Sequence, residues 1–134
     1  GTGEVRLWLV LVDERVVGIT ALHSIDWKRR SARGMIWIAP ADRRKGYASK
    51  ALDARNTLAF QEMGLRRIEW AIPADAEPRV KMAGERGEWF EGRMREVVWR
   101  DGAWRDYLLY SLLDREWHAS RAEDVHHLAM VERE

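Results

Sequence analysis

The sequence predicts one mixed α/β (α+β) domain, with a twisted, mainly antiparallel sheet, a central helix, a second helix and a C-terminal hairpin. Three observations predict it. Apolar residues alternate through most of residues 4–38, helical spacing takes over after Gly46, and alternation returns on both sides of Asp101-Gly102-Ala103.

The elements follow in order. From Glu4 to Val12, Val5, Leu7, Leu9 and Leu11 share one side of a pleat and Trp8, Val10 and Val12 the other, until Asp13-Glu14-Arg15 breaks the run as a turn. Val16 to Ile25 is the returning strand, Asp26 to Arg33 a charged connection, and Met35 to Ile38 a short third strand stopped by Pro40. Ala48, Ala51, Leu52, Leu58, Ala59 and Met63 recur at helical spacing, and Gly64 stands where a C-cap belongs. Arg67 to Ile72 alternates and ends at Pro73; Glu77 to Arg86 is a weaker helix with Pro78 in its first turn and Gly87 at its end. Phe90 to Arg100 and Trp104 to Leu113 flank a short turn and form a closing hairpin. Residues 118–134 read as a helical tail, from a capping-box pattern at Ser120 and Glu123 and from Val125, Leu128 and Ala129 on one face. The expected organisation is therefore a single domain over residues 1–117 followed by that tail.

Composition narrows the function classes. The chain has 134 residues, 46% of them hydrophobic and eight of them tryptophan, more than a disordered chain carries. It contains no cysteine, which excludes disulfides, thiolate metal sites and a cysteine nucleophile and favours a cytoplasmic setting. With 23 basic and 22 acidic residues the formal charge is +1, which argues against a wholesale nucleic-acid binder. No apolar run approaches a membrane span, so no membrane partner is expected.

The stretch Ile36-Trp37-Ile38-Ala39-Pro40-Ala41-Asp42-Arg43-Arg44-Lys45-Gly46-Tyr47-Ala48-Ser49 carries the chemistry, running from strand through basic loop to helix. A helix N-terminus presents unpaired N–H groups and a positive dipole end, and small residues at Gly46 and Ala48 let a bulky anion come close to the backbone. Arg43, Arg44 and Lys45 add charge at the same mouth, and the Ser49 hydroxyl can donate another hydrogen bond. The pattern suits phosphate; a solvated basic turn capping an ordinary helix is its plainer reading.

Arg43-Arg44-Lys45-Gly46-Tyr47-Ala48 resembles the Arg/Gln-x-x-Gly-x-Gly/Ala loop of the GNAT superfamily of acyl-CoA-dependent N-acetyltransferases, most closely the Rim-type branch that acetylates ribosomal protein N-termini. The resemblance runs from Gly18 to Trp117 through Ser31-Ala32, Met63-Gly64-Leu65-Arg66-Arg67-Ile68-Glu69, Glu91-Gly92-Arg93-Met94-Arg95-Glu96 and Arg105-Asp106-Tyr107-Leu108-Leu109-Tyr110-Ser111-Leu112-Leu113. It implies a GNAT-like fold, acetyl-CoA or coenzyme A as cosubstrate, and transfer of an acetyl group to an amine of a protein N-terminus or small molecule. It further implies that the backbone from Arg44 to Ser49 holds the pyrophosphate and that Ile36, Trp37 and Ile38 pair with the pantetheine arm.

The chain departs from the family pattern at several places. Where the family commonly has a glutamate, an asparagine and a helical tyrosine stand Arg33, Ala76 and Ala83, and its Gly-Phe reads Gly87-Glu88. The sequence also starts at what resembles the family's second strand, so much of the acceptor cleft has no counterpart upstream. A non-catalytic binding or assembly module is the alternative these departures raise.

Glu69, beside the cleft, and His23, on the second strand, are the candidates for a substitute base, the ordinary alternatives being a solvent-facing carboxylate and a satisfied strand-end histidine. Tyr107 and Tyr110 read as core, and Trp8, Trp37, Trp70, Trp99 and Trp104 as packing residues. His118, His126 and His127 do not make a metal site, because adjacent helical side chains diverge and no ligand stands at a familiar spacing. An unpaired edge at Glu4 to Val12 would favour a homodimer, and the tail around Arg121 to Val125, which faintly resembles the family's first helix, is a second way to fill the missing segment's place.

Overall fold

Strand alternation at the start of the chain becomes three antiparallel neighbours in the computed structural model, which describes residues 4–117 and 128–133. Strand β1 (Arg6–Val12) pairs with β2 (Arg15–Asp26), and β2 pairs with β3 (Ser31–Ile38). The turn between β1 and β2 places Asp13 and Glu14 at φ of 50° and 67°, the left-handed geometry of tight hairpin loops. Trp8, Val10 and Val12 turn to the buried side, while Leu7, Leu9 and Leu11 are half-buried on the other.

After β3 a single turn at Pro40–Asp42 leads into helix α1 (Tyr47–Thr57), which continues through a wider π-type turn at Leu58–Glu62. The helix returns the chain to β4 (Arg67–Pro73), parallel to β3, supplying the crossover that parallel neighbours need. Helix α2 (Glu77–Glu85), β5 (Trp89–Arg100) and β6 (Ala103–Leu113) follow, with β6 antiparallel to both β4 and β5. The expected mixed, mainly antiparallel sheet with a central helix, a second helix and a hairpin is the fold observed.

The C-terminal segment corrects the sequence reading. Leu128–Arg133 is a strand, β7, where a helical face was expected, and it pairs antiparallel with β1 from Leu7↔Arg133 to Val12↔Leu128. Open backbone groups on β1 give the segment more than an isolated helical turn would, so tertiary context overrides local spacing. The edge expected to be bare is therefore covered within the chain, which removes that argument for a homodimer. The capping pattern at Ser120 and Glu123, the Arg121 to Val125 stretch and the three histidines lie outside the described residues.

Among the described residues the sheet runs β5-β6-β4-β3-β2-β1-β7. One cluster joins Ala51 of α1 to Val10, Val12 and Val17; another joins Leu22, Ile25, Ile68, Trp70, Ile72, Ala83 and Leu112. Both lie on the helix-covered side. Trp8 and Trp70 are core as expected, but Trp37, Trp99 and Trp104 are 47%, 59% and 56% exposed. Trp99 and Trp104 instead meet edge to face across the β5–β6 hairpin, ring centroids 5.4 Å apart. Tyr110 is buried, and the half-buried Tyr107 hydroxyl accepts a hydrogen bond from Arg100. No described helix is long and apolar enough to cross a membrane.

Candidate functional site

The parallel pair β3 and β4 stays together for three residues only, Ser31↔Arg67, Ala32↔Ile68 and Arg33↔Glu69. Beyond them β3 continues to Ile38 beside β2, and β4 continues to Pro73 beside β6, so the two strands splay. Each then presents an edge of backbone groups to the gap. Such a wedge leaves backbone groups that can pair with another polar chain or with water.

The mouth of the wedge is the basic loop. Arg43 donates from Nε to the Ile38 carbonyl at 2.8 Å, tying the loop to the end of β3. Asp42, buried, accepts both arms of Arg15 at 2.9 and 3.0 Å and lies 3.7 Å from Lys45; the Arg15 guanidinium holds its carboxyl below the usual range. Arg44 is exposed with φ at 65°, and Gly46 caps α1 at φ 82°, a conformation glycine adopts without strain. The first intrahelical bond runs from Lys50 N–H to Gly46 C=O, which leaves the N–H groups of Tyr47, Ala48 and Ser49 in the unpaired first turn. A Cβ on Gly46 would meet nothing within 4 Å, so the approach to that turn is open. Tyr47 packs against the Val10, Val12, Val17 and Ala51 cluster.

The floor of the wedge was not legible in the sequence. Arg55, on α1, is buried against Gly34 and reaches Thr20 Oγ1 at 3.3 Å, the Met35 carbonyl at 3.4 Å and Asn56 Oδ1 at 3.0 Å, while its Nε–H has no partner. Burial, aided by nearby Arg86, lowers the guanidinium to about 9. Arg86, at the end of α2, bridges to α1 through the Ser49 carbonyl at 3.0 Å, the Ser49 hydroxyl at 2.7 Å and Asp53 at 2.8 Å, and to Glu88 at 3.0 Å. Glu88, in the Gly87-Glu88 departure, points inward beside Arg86 and shares a cavity lining with Trp70; burial raises its carboxyl pKa. Gly34, Met35, Ile36, Leu52, Arg55, Asn56, Trp70, Arg79 and Glu88 enclose a cavity of about 10 Å³, roughly the space of one water. Arg55 occupies the helix position three to four residues after Ala51 and Leu52 and before Leu58 and Ala59. A cation on an apolar stripe was the available signal.

The opposite face carries the other candidates. Register places His23, Arg33 and Glu69 in one row across β2, β3 and β4 at the closed end of the wedge. Glu69 accepts from Arg33 at 3.2 Å and Arg67 at 3.1 Å. His23 lies 3.1 Å from the Ser24 hydroxyl, and burial, then the charge of Arg33, lowers its pKa. Trp37 alternates onto this face as well, away from Ile36 and Ile38. Ala76 caps α2 and Ala83 is buried in the core.

A wedge between parallel strands, opening onto a glycine-capped helix, is the setting in which comparison with known proteins decides the family. Residues 1–87 match the model of the acetyltransferase (GNAT) domain. The chain belongs to that family. Its acetyltransferases use acetyl-CoA as cosubstrate. The chain is 30% identical over 112 residues to the "Putative ribosomal N-acetyltransferase YdaF" of Bacillus subtilis, covering 84% of this chain and 61% of that protein. It therefore spans about three fifths of that relative. An "Uncharacterized N-acetyltransferase YoaA" of the same organism is 26% identical, over 75% of this chain and 56% of its own length. Among solved structures, a "Probable acetyltransferase" is 31% identical with a TM-score of 0.73, over 78% of this chain and 59% of that one. The spermidine/spermine N-acetyltransferase SpeG from Vibrio cholerae, in complex with manganese ions, shares the fold at 24% identity and a TM-score of 0.79, covering 84% and 67%.

Proposed function

We propose that this GNAT domain transfers an acetyl group from acetyl-CoA to an amine. The observation that carries the reading is the wedge itself: free backbone edges on β3 and β4 open beside the unpaired first turn of α1. The N–H groups from Arg44 to Ser49 hold the pyrophosphate, with Arg43 and Lys45 supplying charge while bracing the loop. The free edge of β3 at Ile36 and Ile38 pairs with the pantetheine amides. Trp37 carries its side chain on the other face and lies opposite Ile19, holding β3 to β2. The side chains at the floor must shift for the thioester end to enter, since the present cavity holds one water.

The amine approaches from the face bearing His23, Arg33 and Glu69. Of the two candidate bases, His23 suits the task better. Glu69 is held by two guanidinium groups, whereas the lowered pKa keeps His23 neutral at pH 7 and able to accept a proton. The similarity to a protein named as a ribosomal N-acetyltransferase supports a protein N-terminus as the acceptor, and that to a spermidine N-acetyltransferase supports a small amine.

Isothermal titration with coenzyme A tests the premise. Saturable binding is the expected result, and no binding at millimolar ligand ends the reading. Thiol release over a panel of N-terminal peptides and polyamines then tests transfer, with turnover above thioester hydrolysis expected.

A further inference from the structure

The helix-side face of the wedge holds more positive charge than its own residues balance. Three arginines, Arg55, Arg79 and Arg86, gather there with two carboxylates, Asp53 and Glu88. Arg86 bridges both carboxylates. Among the described residues, neither Arg55 nor Arg79 makes an ion pair, and the Nε–H of each is buried without an acceptor. Arg55 meets only neutral oxygens, those of Thr20, Met35 and Asn56. A buried guanidinium without a counter-ion is costly, and proteins that keep one commonly use it on an anion.

Place decides which anion. Arg55 lies against Gly34 of β3, one residue past the last β3–β4 pair, at the apex of the wedge. Resting on the proposed acyl-CoA reading, the apex is where the acyl chain beyond the thioester carbonyl would lie. Trp70 and Leu52 line the same cavity and supply the apolar walls for one or two methylenes. Arg79 is half-buried in its lining, and the Glu88 side chain beside it is 5% exposed. Arg79 lines the same cavity and makes no ion pair among the described residues.

We propose that the apex of the wedge is a carboxylate subsite, in which Arg55, assisted by Arg79, receives the terminal carboxylate of a dicarboxylic acyl thioester. The acyl donor preferred at this site is then an anionic acyl-CoA of the succinyl class rather than a neutral chain of equal length. Only binding is assigned to Arg55, whose planar fork matches a carboxylate edge-on.

The test is titration of the wild-type protein with coenzyme A, butyryl-CoA and succinyl-CoA in the same buffer at 150 mM chloride. Succinyl-CoA is expected to bind about tenfold more tightly than butyryl-CoA, the scale of one charge-assisted pair. In Arg55→Met that ratio should fall to about one, with melting curves showing that the variant is folded; Arg79→Met should reduce it in the same direction. Butyryl-CoA binding as tightly as succinyl-CoA to the wild type overturns the proposal while leaving the acyl-CoA reading intact. A ratio that persists in folded Arg55→Met overturns the role of Arg55. Loss of all three ligands, free coenzyme included, is the failure of the acyl-CoA reading itself and ends both.

Discussion

A Cβ added to Gly34 would lie 2.7 Å from Nη1 of Arg55, so the guanidinium on α1 and the bare backbone of β3 occupy complementary space. Gly34→Ala should therefore destabilise the fold by about 1–3 kcal/mol through overpacking. Most of that loss should vanish in the Arg55→Met background, where the side chain is flexible and uncharged. Urea unfolding of the four proteins of the cycle measures the coupling.

Arg55→Met alone should raise the melting temperature at pH 7 by about 3–6 °C, because a solitary buried cation gives way to an apolar chain of similar length. The difference should shrink with pH. The folded-state guanidinium sits near 9, well below its ordinary value, because burial disfavours the charge. Between those values the unfolded state binds more protons, so wild-type stability rises relative to the variant as pH climbs past 9. Paired thermal scans at pH 7 and pH 10 measure the trend.

Arg86 joins the end of α2 to α1 and supplies the counter-charge of Asp53 and Glu88. Arg86→Met should cost about 3–5 kcal/mol, the range for removing one partner of a buried pair. Adding Glu88→Gln should recover part of the loss, as measured by denaturant midpoint.

Gly46→Val should abolish coenzyme A binding while the circular dichroism spectrum is retained. The cause is conformational: the protein leaves open space around that position, but φ is 82°, which costs a side-chain-bearing residue about 1–2 kcal/mol and distorts the first turn. Titration checks it, and Gly46→Asn, which tolerates left-handed backbone, should retain part of the affinity.

Deleting residues 128–134 should uncover β1 and make the protein self-associate. The edge expected from sequence to be bare is occupied by β7, and six paired residues hold it. Light scattering across micromolar concentrations should show the mass of the truncated chain rising while that of the parent is unchanged.

The strands and helices were legible because their apolar residues keep the period of their element, as Trp8-Val10-Val12 and Ile68-Trp70-Ile72 do. The loop was legible because Arg43-Arg44-Lys45-Gly46 joins basic charge to a glycine at a helix start. The cluster behind it was not. Arg55 interrupts an apolar stripe and reads as a gap in it, and nothing local says that Arg86 and Glu88, on and after another helix, turn inward to meet it. Strand β7 was hidden for a similar reason: Leu128 and Ala129 fit a helical face, and only the unpaired edge of β1, far away in sequence, makes them extended. Trp99 and Trp104 looked like core because their residue type usually is, whereas the hairpin holds them together in the open.

The pairing of Leu7 with Arg133 joins nearly the two extremes of the described chain. During synthesis the first hairpin therefore emerges from the ribosome long before its last neighbour exists, and so large a sequence separation makes closure of the sheet a late event. For that interval the nascent protein exposes a bare strand.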